Sequence, residues 1–329
     1  GTLDALASRE SVFLLNNLLL VALTFTVLLG TLFPLIAEAT TGQRLSVGAP
    51  YFNRVAVPIA LALLFLMGVG PLLPWGAARL EETLERLVLP AAAAVAMLAL
   101  LVLAGVRGTG ALAFFGLATF VASATWFSFM RDLRARQHST GEPWFQAVPL
   151  LVRANPRRYA GYLAHVGVLF VVVGIAASQS FSSSAERTLN LGQTMRLDGY
   201  TMTFADVQAH RQPSRIVVAA GINVGQGDKL LGSLWPSVNY YPNSVEPVIT
   251  PAVHLAATQD VYLVVRAIDK NGRWVTLQAY VKPLVSWIWF GGGVIGLGAL
   301  MALTPARKRR RSEVIERRAA RAEPAEALT

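Results

Sequence analysis

The chain has 329 residues, of which 54% are hydrophobic and only 15% charged, and it carries a formal net charge of +10 with no cysteine. Soluble domains average about 25% charged residues, so the apolar excess, gathered in long uninterrupted blocks, excludes an ordinary soluble globule. The missing cysteines exclude disulfides and thiol chemistry, and the Lys and Arg residues sit beside apolar blocks, where they set membrane orientation rather than mark a nucleic-acid surface.

In chain order the pattern predicts a polytopic α-helical membrane protein with six spans. About 20 apolar residues suffice to cross a bilayer. The first five spans fall at about 12–37, 55–75, 88–106, 111–130 and 159–178, and make up a bundle over 1–180. Asn16 and Asn17 interrupt the first span. Interhelical hydrogen bonding is the plainer explanation for them; lining a cofactor pocket is the alternative. Residues 42–53 read as a loop, Trp75 as an interfacial anchor, and Ala77 to Leu87 as a short amphipathic connector helix. Spans three and four, joined at Arg107 to Gly110, form an antiparallel hairpin. Arg131 to Arg158 reads as a long polar segment, with His138 as a solvated loop residue.

Residues 181–283 differ in character and predict a small all-β domain between the last two spans. Asn271-Gly272 between two alternating stretches is a strong hairpin signal. His210 and His254 lie in this domain without partners at metal-ligand spacing. The last span, 284–303, carries Gly292 and Gly296 in a spacing that permits close helix approach. The basic tail 304–329, with RKRRR at Arg307 to Arg311, stops it. Placing that tail in the cytoplasm puts every strongly basic short segment on the same side, as the positive-inside rule asks. Both termini are then cytoplasmic and 181–283 extracytoplasmic.

The spans contain one acidic or basic side chain, His165. Ionisable groups at membrane depth are costly and usually face a cavity, a partner or a cofactor, and neutral imidazole is a good ligand for haem iron. A buried, hydrogen-bonded histidine between helices is the alternative. No second span offers a histidine for bis-imidazole ligation, and no nucleophile–base or phosphate-binding motif appears, so no catalytic residue is assigned.

The ordered motifs SRESVFLLNNLLL, GTLFPL, SVGAPYFN, GVGPLLPW, NPRRYAGYLAHVGVLFVVVGIAAS and YYP…YVKPLVSWIWFGGG resemble the C-terminal half of CcmF, the haem lyase of system I cytochrome c maturation. The resemblance implies a function in cytochrome c biogenesis. Haem would be accepted from a periplasmic haem chaperone and attached to the CxxCH motif of apocytochrome c, in a bacterial inner membrane, alongside other maturation subunits including thiol-redox components. It further implies that His165 is an axial ligand of an auxiliary haem b, with its iron as the bound metal. The family's Trp-rich motif and other haem histidines belong to its N-terminal half, so that half is expected upstream in the same protein or on a split partner. Pro251 stands where the resemblance leads one to expect glutamate, and no residue of the outer domain receives a role. A transporter or channel subunit and a non-catalytic scaffold are the rival functions.

Overall fold

The computed structural model describes residues 8–43, 45–73, 80–242, 244, 246–269 and 271–304. Trp75, the start of the proposed connector and the basic tail lie outside them. Among the described residues six helices are long and apolar enough to cross a membrane.

Helix α1 (Arg9–Thr41) starts at Ser8, whose hydroxyl accepts from the Ser11 N–H at 3.3 Å, and stops at Gly42, whose φ of 69° supplies the left-handed residue that commonly ends a helix. Helix α2 (Ala49–Val69) begins inside the stretch read as a loop, because Pro50 at the first turn favours helix initiation, and it ends in a 3₁₀ turn, Gly70–Leu72. Helix α3 (Leu80–Leu103) absorbs the described part of the amphipathic connector into the third span. It turns back into α4 (Thr109–Thr140) through residues 104–108, with Gly105 at φ 91°.

The polar segment after the fourth span is helical, not a loop. Helix α4 runs ten residues past Met130, and α5 (Trp144–Ala154) follows at once. Hydropathy marks only the lipid-crossing part of a helix, whereas Arg is itself a good helix former. The extension also buries Leu133 against Ala147, Leu151 and Tyr159, so one apolar position anchors an otherwise charged turn. His138 sits in the last turn of α4, where a cation is favoured by the helix dipole.

Helix α6 (Pro156–Ser180) and α7 (Val285–Ala302) form the most extensive helix pair. The expected glycines, Gly292 and Gly296, face open space. The close approach is made by Gly291 of α7 against Gly167 of α6, by Gly298 against Ala160 and Ala164, and by Gly174 of α6 against Leu284 and Ile288. A Cβ on Gly291 would lie 2.6 Å from the Gly167 carbonyl oxygen, and one on Gly167 would lie 2.7 Å from that of Gly291. The interface therefore repeats every seven residues, and a four-residue glycine spacing within one helix points to the wrong face.

Between these helices lies the β-sandwich. One sheet has the order β1 (Ser183–Asn190), β10 (Trp274–Pro283), β9 (Gln259–Ile268), β8 (Ala252–His254). The other has β2 (Thr194–Leu197), β3 (Tyr200–Gln212), β4 (Arg215–Gln226), β6 (Ser237–Tyr240), β7 (Val248–Thr250), with β5 (Lys229–Leu234) also on β4. Strand alternation sends Val275, Leu277, Ala279 and Val281 of β10 inward beside Val261, Leu263 and Val265 of β9, against Met202, Phe204 and Ile222 of the facing sheet. His210 lies exposed on β3 and His254 half-buried on β8. The predicted hairpin joins β9 to β10 through residues 269–273, with Gly272 at φ 70°.

Asp269 holds that turn: its Oδ2 accepts from Arg273 Nε at 3.0 Å and from the Arg273 amide at 3.3 Å. The Arg273 hydrogen bond keeps the carboxyl below its ordinary value. A lowered native pKa contributes stability above the unfolded-state value, lost as pH falls through the native one. Amide exchange at residues 271–273 is therefore expected to quicken below about pH 4, and Asp269→Asn to quicken it at neutral pH and remove the acid dependence.

The sandwich is tied firmly to the membrane part. Only Phe181 and Ser182 separate α6 from β1, and only Leu284, at φ 58°, separates β10 from α7. The Leu284 amide donates to Thr258 O at 2.9 Å, and the Trp287 indole N–H to Ala257 O at 3.2 Å. Ser286 Oγ lies 2.9 Å from Ala256 O and 3.2 Å from Oδ1 of the fully buried Asp260.

Candidate functional site

Helix α6 presents three faces. One, through Ala160, Ala164, Gly167 and Gly174, is closed by α7. A second, through Tyr159, Leu163, Val166 and Phe170, borders an apolar groove of about 570 Å³ toward α4 and α5. Among the described residues that groove is lined by no carboxylate, Lys, Arg or His. The third face carries Arg158, Gly161, Tyr162, His165 and Val168, spaced three and four apart, and borders a cavity of about 1060 Å³ against α1, α2, α3 and α4.

His165 is the only histidine lining this cavity. Its ring makes no hydrogen bond among the described residues, and its Nδ1 is enclosed without a partner. An unbonded buried polar atom costs about 1–3 kcal/mol, and among the described residues no hydrogen bond to this ring supports the alternative of a hydrogen-bonded histidine. Helical side chains lean toward the N-terminus, which sets the imidazole over the turn holding Gly161. A Cβ at Gly161 would meet nothing within 4 Å, so the space beside the ring is open.

The rotation of α6 that aims His165 is fixed at both ends. Toward its start, Arg158 pairs with Asp132 of α4 at 2.8 Å, the Tyr159 hydroxyl donates to Asp132 Oδ2 at 3.3 Å, and Arg158 Nε donates to the Tyr162 hydroxyl at 3.3 Å. Beyond His165 the glycine contact with α7 takes over. The opposite wall is apolar, with Phe13, Leu66, Met67 and Leu73, and includes Asn16. Of the two readings of Asn16, the structure places it in the lining shared with His165.

One feature escaped the reading of the sequence. Arg9, Arg86, Arg131, Arg157 and Arg158 come from four helices and all line the same cavity. Each was visible only as a flank that sets orientation. The available signal was that all five fall on the side of the membrane nearer His165, which stands nine residues into α6. His138, His210 and His254 are not brought near the cavity, and no cluster of three or more His, Asp or Glu able to hold a metal ion occurs among the described residues.

A bundle of six membrane-spanning helices with a β-sandwich inserted between the last two, and a lone histidine facing a cavity in the bundle, defines a multi-pass membrane protein of distinctive layout. Residues 180–283 match the family described as the CcmF C-terminal beta-sandwich. Along almost its whole length the chain is similar to the cytochrome c-type biogenesis protein CcmF of Pseudomonas aeruginosa, 33% identical over 312 residues covering 93% of this chain and 45% of the relative. The Escherichia coli protein of the same name is 30% identical over 312 residues, 94% of this chain and 45% of the relative. A solved structure named Cytochrome c Heme Lyase CcmF superposes with a TM-score of 0.67 at 29% identity, over 92% of this chain and 46% of that one. The chain is thus similar along almost its whole length to proteins named CcmF, and it spans somewhat less than half the length of the relatives it matches.

Proposed function

We propose that this chain forms the part of a cytochrome c haem lyase that holds an auxiliary haem b in the membrane, with His165 as an axial ligand of the iron. The observation that carries this reading is the half-buried imidazole, its Nδ1 enclosed without a partner, beside an open cavity of about 1060 Å³. The residues present fit such a group. A neutral imidazole supplies one axial position, Gly161 leaves the ring's flank clear, an apolar wall suits a macrocycle, and basic side chains stand at the edge. The cavity lining contains no second histidine among the described residues, so a second protein ligand, if the haem takes one, would come from outside them.

When bound, the haem supplies one-electron chemistry suited to keeping a transferred haem iron reduced. The chain's own residues do the holding. Asp132, Arg158 and Tyr159 lock α6 against α4, Gly167 and Gly291 lock it against α7, and the apolar wall keeps bulk water from the ring. The names of the relatives and of the solved structure support a wider role in cytochrome c biogenesis as part of a haem lyase; in our reading the haem is attached to the CxxCH motif of apocytochrome c. The partners in this reading are a periplasmic haem chaperone, thiol-redox subunits, and an N-terminal half carried either by the same protein or by a split partner.

We also place the chain in a bacterial inner membrane with the arginine-lined end of the bundle and the tail 304–329 in the cytoplasm, and the sandwich of 181–283 on the outer side. The bundle then comprises 1–180 together with the last span, 284–303. The grouping of five arginines from four helices at one cavity agrees with the positive-inside assignment.

His165→Gly in the complete protein is expected to lose most of its b-type pyridine haemochrome signal, and added imidazole to restore an imidazole-ligated Soret band. Full haem content in His165→Gly without imidazole would refute the ligand role.

A further inference from the structure

The five arginines at the His165 cavity are unequally engaged. Arg158 is spent on Asp132 and Tyr162, and Arg86 donates to the Leu72 carbonyl at 3.4 Å. Arg131 of α4 and Arg157 of α6 have no ion pair and no hydrogen bond among the described residues, and no acidic side chain lines the cavity. Arg157 also stands in the first turn of α6, where the partial positive charge of the helix end adds to its own. Arginines that merely flank a span extend outward to lipid headgroups. These two, though exposed, line from different helices the same half-open cavity as His165, and neither has an acidic partner among the described residues.

We infer that Arg131 and Arg157 bind the carboxylate arms of an amphipathic occupant whose apolar body lies beside His165. The inference rests on the haem reading above, for which the arms are the two propionates. Eight residues separate Arg157 from His165 along α6, about 12 Å of axial rise, a distance that the metal and acid ends of a single porphyrin cover. Guanidinium matches carboxylate in a two-point, charge-assisted geometry, and such bonds are roughly twice as strong as neutral ones. The pair therefore fixes which edge of the macrocycle faces the basic end of the bundle, while His165 fixes the iron. The acid groups of anionic lipids share this chemistry and are the competing source.

The test compares haem with haem dimethyl ester, in which both propionates are uncharged while ring and iron are unchanged. The protein is placed in nanodiscs of zwitterionic lipid and titrated with each, the readout being the imidazole-ligated Soret band. The wild type is expected to bind the free acid about tenfold or more tightly than the ester, a difference of about 1.4 kcal/mol or more. An Arg131→Gln/Arg157→Gln double variant is expected to bind the ester as the wild type does and to lose most of the preference for the acid. Its melting temperature should stay unchanged, because neither side chain bonds to the rest of the described residues.

Equal affinity for acid and ester in the wild type, or an unchanged preference in the double variant, overturns the inference while leaving His165 as ligand. The same holds if the double variant loses co-purifying phosphatidylglycerol but keeps its acid preference, since the arginines then serve lipid. Absence of any imidazole-ligated Soret band in the wild type refutes the haem reading itself, and this inference with it.

Discussion

Leucine in place of Gly291 is expected to separate α6 from α7 and to destabilise the membrane bundle severely. At this crossing each glycine faces the other's backbone: an added Cβ on Gly291 meets the Gly167 carbonyl oxygen at 2.6 Å and the Val171 amide nitrogen at 2.9 Å. Backbone cannot rotate aside as a side chain can, so the helices must move. Overpacking a well-filled interior costs about 1–3 kcal/mol and occasionally more, and a whole isobutyl group against two backbones belongs at the top of that range. The same movement shifts His165, two residues from Gly167, and should lower haem retention together with the melting temperature. Gly292→Leu is the control, since a Cβ there meets nothing within 4 Å; its melting temperature should stay near that of the wild type. Equal effects at both positions would remove Gly291 from the interface.

Phe204→Ala should be the most damaging single truncation in the sandwich. Phe204 is the largest of the fully buried side chains and lies at the centre of the core shared by the two sheets. Cutting a buried phenylalanine to alanine typically costs about 3–5 kcal/mol, part transfer and part cavity. Because the sandwich is joined to α7 by Leu284, Ser286 and Trp287, its loosening should also reach the membrane part, as protease cleavage within 181–283 and a lower melting temperature of the whole chain. Leu230→Ala, at a side chain 66% exposed, should change stability by no more than about 0.5 kcal/mol. A mild Phe204→Ala would mean that the facing sheets repack around the gap.

The spans and the sandwich were legible in the sequence because each obeys a strong local rule. Lipid demands about 20 apolar residues per crossing, and strand alternation marked 261–268 and 274–280 as the hairpin that β9 and β10 form. What lay outside those rules was misread. Hydropathy stops at Met130, so the charged end of α4 and all of α5 passed for a loop, although Leu133 and Leu151 bury a small cluster there. Glycine spacing within α7 pointed to Gly292 and Gly296. Which glycines matter depends on the rotation of α6, a property of two helices that neither segment carries alone.

The site shows the same division. His165 stood out because a basic group in an apolar span is expensive wherever it sits. Its surroundings did not, because Arg9, Arg86, Arg131 and Arg157 are spread over about 150 positions of chain and converge only when four helices pack. Gly161 gave no signal either; its role is the space it leaves empty next to the imidazole.

The most direct test is the haem content of the complete purified protein when the four histidines of this chain, His138, His165, His210 and His254, are replaced by alanine one at a time. Loss of most b-type haemochrome with His165→Ala, and wild-type content in the other three, is the predicted result. Undiminished haem in His165→Ala, or loss with any of the other three instead, would contradict the assignment of His165 as the iron's ligand.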